Sequence, residues 1–502
     1  MTARTAQLSP AARALLNRRQ ASRGGIGREG TIPRRAPGAQ APMSFAQWRL
    51  WFLEQLRPGT NAWNTPVVAR LEGPLEIESL RRALRLVVER QATLRTVFPA
   101  GDNTPVPVVI EHPVVDLPVI DLERPGSGAA QELDDARMEA DVMRAVDHEV
   151  RRPFDLTSDL MVRVRLLRLM ADRHVLILVA HHIACDGWSK GLLLSELGTA
   201  YDAFCAGTMP ELPELTIDYG DFAAWQRDWL TGRNLDRLTA YWAERLRDHA
   251  AAAELPIDMP RPAIQAFRGA VQRVAVPRAL ADAAVALGRR DRATPFMTLM
   301  ATFMALLHAH SGQEDLLVGS PAAMRNQPEL QPIVGLFANT LVYRTDLSGR
   351  PSLSELIQRV RETALGVYQH QDLPFEKIVQ AVKPRRDASR NPLVQVNMRV
   401  EGTEPELRLH ALRCEAIPVD PGIARFDLAV ELGATDDGFA GYLEYDTSLF
   451  EPATAATLAG QFVDILESAV ASPKTPLDEL EPVRRIRARA TANAGAGGRS
   501  WS

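Results

Sequence analysis

A chain of 502 residues is too long for one hydrophobic core and predicts two or three domains. Its formal net charge of −4 excludes an overall electrostatic pull toward nucleic acid or anionic membranes. Cys185, Cys205 and Cys414 form no CxxC pair and no metal-ligand spacing, which argues against a disulfide framework or a zinc site and suits a reducing cytoplasm. No apolar run reaches transmembrane length, and no signal-peptide core is expected after the start.

The first forty residues carry eight arginines and one acid, Glu29. An organelle transit peptide has that bias, but a short helix over 8–19 followed by a Gly/Arg/Pro-rich stretch favours a flexible linker or docking segment over 1–41. Order is expected from Pro42. Residues 44–56 read as a helix begun by Ser44, with Trp48, Trp51, Phe52 and Leu56 along one side. A strand at 66–71, a helix at 76–91 and a strand at 95–98 follow. Residues 129–149 read as an acidic, exposed helix, and 162–169 alternate as a half-buried strand. Beyond 204 the chain loosens, then an aromatic stripe of Tyr219, Phe222, Trp225 and Trp229 suggests packing between domains.

A second half begins near Tyr241. It holds an apolar helix at 295–310, a buried strand leaving into a loop with Ser320 and Arg325, and a loop-to-strand passage at 333–344. A helix at 353–371, a stretch at 385–400 that feeds a strand, a strand pair near 425–432 and 438–444, and a last helix at 453–470 complete it. The Arg/Ala/Gly-rich tail, 484–502, is expected to be disordered. The alternation of strand and helix predicts an α/β protein with two lobes, 42–222 and 223–483, and a cleft between them.

Residues 173–204 carry the candidate chemistry. Val175 to Ala180 is an unbroken apolar run, as in a strand buried on both faces. It ends at His181 and His182, which must point to opposite faces, so only one reaches a reaction space. Asp186 is close enough to orient an imidazole or to brace the loop through an arginine, and Gly187 lets a ligand approach the backbone. Two packed histidines beside a turn aspartate would be the bland alternative; the HHxxxDG spacing after a buried strand favours catalysis.

With these residues in view, the chain resembles a condensation domain of nonribosomal peptide synthetases over residues 42–481. SFAQWRLWFL at 44–53 is similar to the family's first helix motif, and HHIACDGWS at 181–189 to its active-site motif. DYGDFAAWQ at 218–226, VGLFANTLVYR at 334–344, HQDLPFE at 370–376 and RDASRNPL at 386–393 resemble later motifs, in the family's order. One departure stands out: where the family commonly reads RHExLRTxF, residues 90–98 are RQATLRTVF, with Gln91 and Ala92 replacing a histidine and a glutamate. The lost pair is expected to be structural to the helix end.

The resemblance implies two chloramphenicol-acetyltransferase-like lobes forming a V-shaped pseudo-dimer. A central tunnel would be reached from opposite faces by donor and acceptor carrier proteins, each bearing a phosphopantetheine thioester. The acceptor amine would attack the donor acyl group to form an amide, with no metal, nucleotide or redox cofactor bound. It assigns His182 as general base or electrostatic stabiliser, with His181 and Asp186 mainly structural and the Gly187 N–H offered to the oxyanion. Asp186 would pair with an arginine of the second lobe, Arg325 first and Arg344 second. Trp188 and Ser189 would lie near the tunnel, and Ser320 on its opposite wall. The motif ending in DGWS resembles the type joining two L residues; the histidine pair argues against cyclising relatives and Gly187 against epimerising ones. A free-standing enzyme or a domain of a larger synthetase both fit, as does ester formation with a soluble acceptor. The alternatives are a CoA-dependent acyltransferase, which shares HHxxxDG but lacks the later motifs, and a recruiting domain of the same fold, a type that has typically lost the histidines.

Overall fold

In the computed structural model, the structure describes residues 31–99, 105–122, 131–248, 255–385, 387–402 and 406–495. Helix α1 (Phe45–Leu56) begins with a reciprocal cap: the Ser44 hydroxyl accepts from Gln47 N, and the Gln47 side chain accepts from Ser44 N. Its buried residues are Gln47, Leu50 and Glu54, whereas Trp48, Phe52 and Leu56 face outward. The expected aromatic face is therefore the outer one. Apolar residues occur on both sides of this helix, and the side that packs is the one with polar groups to satisfy.

Strand β1 (Asn64–Glu72), α2 (Ile77–Arg90), the short pair β2 (Thr96–Val97) and β3 (Val108–Val109), and β4 (Val119–Asp121) come next. Helix α3 (Gln131–Arg151) buries Val142, Val146 and Val150, so its expected exposure holds only for its outer side. Strands β5 (Val162–Met170) and β6 (Arg173–His181) lead to α4 (Gly187–Cys205). In β6 every residue from His174 to His181 is buried, because β1 and β5 flank it antiparallel and helices cover the sheet. The register sets Asn64 opposite His181, which fixes where the strand hands over to the HHxxxDG loop.

Helix α5 (Tyr219–Trp229) runs through residue 222, so the boundary expected between 222 and 223 falls inside one continuous helix. Then follow α6 (Gly232–Arg245), β7 (Gly269–Pro277), α7 (Arg278–Arg290) and α8 (Pro295–Ser311). Helix α8 is buried without a break from Met297 to Ala309, as an all-round apolar helix must be. The second sheet uses β8 (Asp315–Ala322) and β9 (Asn339–Asp346) and, after α9 (Leu353–Gln369) and α10 (Phe375–Val382), β10 (Val396–Glu401). Strand β11 (Arg413–Ala416) leaves for the first sheet; β12 (Leu428–Thr435), β13 (Gly438–Asp446), α11 (Pro452–Ala471) and α12 (Glu481–Gly495) complete the chain.

The first sheet has strand order β11-β1-β6-β5-β4, the second β7-β13-β12-β10-β8-β9. Each has its own hydrophobic core. The second sheet buries one face, with Val396, Met398, Leu428, Val430 and Leu443 in its core. Alternation places Asn397, Arg399, Glu401, Glu431, Tyr442 and Glu444 on the other face. β11 pairs antiparallel with β1, Ala69 opposite Ala416, so the second half lends the first an edge strand.

Both expected flexible ends need correction. Ile32 is buried among Ile217, Tyr219, Phe222, Leu330, Ile333 and Phe337, and Arg35 pairs with Asp218 at 3.0 Å and Asp221 at 3.2 Å. Residues 31–41 are thus part of the fold; the helix expected at 8–19 lies outside the described residues. At the other end α12 reaches Gly495, with Val483 and Ile486 in the second core. Two apolar residues three apart suffice to dock it, while the surrounding arginines give the segment the composition of an unstructured tail. Residues 496–502 lie outside the described residues.

Candidate active site

His181, the last residue of strand β6, and His182, the first after it, enter different environments. His181 is buried: its Nδ1 accepts from Ile183 N at 3.2 Å, its Nε2 lies 3.2 Å from Glu54 Oε1, and Phe154 packs edge-on. Burial pushes the imidazole down to about 3 and the Glu54 carboxyl up to about 7, so the contact is a hydrogen bond between groups that resist charging.

His182 is only half-buried. Its backbone N–H donates to Trp63 O at 2.8 Å, and its ring lies parallel to the Trp63 indole, centroids 6.4 Å apart. Nδ1 stands 3.0 Å from Cys185 O, a group that can only accept, so Nδ1 carries the proton and Nε2 keeps its lone pair. Burial first, then the positive charge of Arg425, lowers this imidazole to about 4. At neutral pH it is an uncharged base.

Asp186 and Ser189 tie this loop to the second half. Asp186 Oδ1 caps α4 by accepting from Ser189 N at 2.8 Å; Oδ2 accepts from Phe337 N at 2.9 Å and Ala338 N at 3.2 Å. Arg325 Nη2 lies 3.4 Å from Asp186 Oδ1 and donates to Ser189 Oγ at 2.6 Å, while its Nη1 donates to Ile333 O at 2.6 Å. Ser189 Oγ donates to Gly335 O at 2.8 Å. Tyr219 presses so close to Gly335 that a Cβ there would sit 2.2 Å from its ring, which explains a glycine at this crossing. Its hydroxyl donates to Leu336 O at 2.5 Å.

Trp188 is exposed and donates from Nε1 to Gln331 O at 3.2 Å. Gly187 opens α4; a Cβ there would make only ordinary 3.7 Å contacts with Arg399 Nη1 and Glu401 Oε1 of the facing sheet. Ser320 is buried in β8, opposite Leu341. Among the described residues it makes no hydrogen bond to the HHxxxDG loop. Arg344 is not a partner of Asp186. Its Nη2 pairs with Asp315 at 2.7 Å, and Nη1 donates to Arg247 O at 2.7 Å, because β9 carries it away from the loop.

Gln91 does more than finish a helix. Buried, it donates to Glu196 Oε1 at 3.0 Å and to Pro332 O at 3.1 Å, and accepts from Val334 N at 2.9 Å. Thr93 Oγ1 donates to Val334 O at 2.7 Å. Sequence reasoning also missed Trp63, Glu54 and Arg425. Of these only Glu54 left a trace, at helical spacing from Gln47 and Leu50.

Among the described residues no group of three or more His, Cys, Asp or Glu side chains could hold a metal ion, and no helix is long and apolar enough to cross a membrane. The condensation-domain family model matches residues 39–489. A linear gramicidin synthase polypeptide of Brevibacillus parabrevis is 39% identical over 442 residues, 88% of this chain and 6% of that protein. Phosphinothricin tripeptide synthetase PhsC of Streptomyces viridochromogenes is 38% identical over 489 residues, 97% of this chain and 44% of that protein. The chain therefore spans less than half the length of either relative. Among solved structures, the X-domain in complex with OxyB from teicoplanin biosynthesis superposes with a TM-score of 0.81 at 28% identity, covering 91% of this chain and 99% of that one. The first condensation domain of the calcium-dependent antibiotic synthetase gives 0.73 at 21% identity, covering 88% and 99%. By its matched residues, its relatives and its fold, the chain belongs to the condensation-domain family.

Proposed function

We propose that the chain joins a donor acyl or peptidyl thioester on one carrier protein to the amine of an acceptor held on another. The observation that carries this reading is the state of His182: neutral, tautomer fixed by Cys185 O, and Nε2 left with its lone pair in the loop that leads into α4. The acceptor nitrogen attacks the acyl carbon, the C–N bond forms, and one N–H proton passes to His182 Nε2. The oxyanion develops near the first turn of α4, where the Gly187 N–H has no partner within the helix. Collapse breaks the C–S bond, and the proton held on Nε2 goes to the departing thiolate. Two tethered arms meeting head to head supply effective concentration, so phosphopantetheine arrives on the carriers and no bound cofactor is invoked. Cys185, Cys205 and Cys414 are all free thiols, in keeping with a cytoplasmic setting.

A second reading has one observation in its favour, the likeness to an X-domain crystallised with OxyB. It makes the chain a recruiting surface without turnover. Both are tested by mixing donor acyl-carrier and acceptor aminoacyl-carrier with wild type and His182→Ala and weighing the intact carriers. Transfer by wild type, slowed roughly 10²-fold or more in the variant, is expected. Equal transfer by both proteins would remove His182 from the chemistry. No transfer across several donor and acceptor pairs would leave the recruiting reading, or, if acyl-CoA serves as donor, an acyltransferase of the wider HHxxxDG class.

A further inference from the structure

The wall facing His182 contains one element of the second half that the motif does not include. Arg425, just before β12, crosses to the first half and donates from Nε to Ala62 O at 3.0 Å, its guanidinium carbon 5.0 Å from the centre of the Trp63 ring. Among the described residues Nε is the only atom of that guanidinium with a hydrogen bond. Its backbone is held as firmly: Arg425 N donates to Glu444 Oε1 at 3.2 Å, and Arg425 O accepts from Gln265 Nε2 at 3.0 Å and from Asn391 Nδ2. Trp63 in turn lies parallel to the His182 ring and accepts the His182 N–H. Phe267 closes the other edge of the indole, with Arg57 over its ring.

We propose that Arg425 is a positioning residue for His182: reaching across from the second half, it clamps the indole against which the imidazole stacks and sets a fixed positive charge beside it. The clamp makes the reactivity of the first half depend on the seating of the second. A guanidinium suits the task because it stacks on an aromatic face while its Nε–H still reaches a carbonyl, a combination an ammonium lacks. The charge acts on a half-buried ring whose other electrostatic neighbours are Asp186 on its own loop, which opposes the effect, and His181 on its own strand. Removing the positive charge lets His182 take up a proton nearer the ordinary imidazole range, so the base is lost at mildly acid pH where the wild type keeps it.

The proposal rests on the condensation reading only for its kinetic arm. Its first test needs no substrate. Ring-carbon-labelled histidine in the full chain, with the His182 resonance identified by its absence in His182→Gln, is titrated in wild type, Arg425→Lys and Arg425→Gln. The Gln variant should raise the His182 midpoint by a pH unit or more, and the Lys variant by less. An unchanged midpoint in Arg425→Gln overturns the proposal, as does an equal rise in both. Should Arg425→Gln melt far below wild type, Trp63→Phe, which weakens the stack, is expected to move the midpoint upward, and an unmoved midpoint there overturns it too. In the transfer assay Arg425→Gln should be slowed roughly two- to tenfold relative to wild type at pH 5.0 and recover in part at pH 7.5, with Arg425→Lys losing less. A pH-independent loss of equal size in both variants would reduce Arg425 to a structural brace.

Discussion

The two halves share a grammar of strands and helices, yet they deliver different things to the seam between them. The first half delivers side chains: a strand buried on both faces ends in two imidazoles, one locked against Glu54 and one left with a free nitrogen. The second half delivers mostly backbone and fixed charge: the carbonyls and amides of 332–338, the guanidinium of Arg325 threaded among them, and Arg425 over Trp63. Where one half presents an imidazole with an open lone pair, the other braces the loop that follows it. The difference teaches why so many strong interactions here run between the halves and leave His182 Nε2 untouched.

The comparison breaks most completely at Asp186. Asp186→Ala removes a helix cap, two backbone acceptances and the partner of a buried arginine, and should cost about 3–5 kcal/mol in denaturant unfolding together with nearly all transfer. Damage confined to the second core is the next largest effect. Ile486→Ala should cost about 2–4 kcal/mol by truncating a buried side chain of α12, and the unfolding midpoint should drop accordingly. Gln91→Ala leaves Glu196 and the amide of Val334 each short of a partner; about 1–3 kcal/mol is expected, with a larger loss in transfer than Ile486→Ala shows at matched stability. Smallest of all, Arg344→Met breaks a half-exposed pair with Asp315 and should cost about 1 kcal/mol or less, with transfer unaffected.

The Glu54–His181 contact sharpens the same contrast through pH. Glu54 is raised to about 7 in the fold, so its contribution is fully present below the unfolded carboxylate range and fades as pH rises through 7. His181 is lowered to about 3, so its neutral burial disfavours the fold as pH falls below the ordinary imidazole range. Glu54→Gln keeps an acceptor and removes the ionisable group. Melting temperatures should therefore fall less between pH 6 and pH 8.5 in the variant than in wild type, and an identical fall would place the contact outside the stability balance.

Strand β6 and the loop after it were legible because their signal is local: an apolar run, two histidines and a capping aspartate four residues on. For Asp186 an arginine of the second half was expected, Arg325 before Arg344, and Arg325 is the one that pairs, at 3.4 Å. What the sequence does not show is where Arg344 goes: it sits within β9, and the register of β9 against β8 turns it toward Asp315. Helix α1 misled because both its faces are apolar enough to pack, and the burial of Gln47 and Glu54 depends on partners 127 or more residues away. Trp63 and Arg425 carry no spacing signal at all. Their pairing is a contact between distant segments, and periodicity does not encode those. Composition hid α12, since arginine stems cover apolar surface while their heads stay in water.

Strand β11 has a consequence for inheritance. Four residues from late in the chain, Arg413 to Ala416, complete the sheet that carries the histidines. A recombination event that exchanged only the first two hundred or so residues would arrive without its own edge strand and would have to accept a foreign one against β1, or leave that edge open to aggregation. Chimeras cut between the halves should therefore express poorly, whereas exchanges that carry residues 39–489 as one block keep both sheets whole. Any exchange that keeps the fold must carry the pair of halves together, because they are stitched by a strand that belongs to one and serves the other.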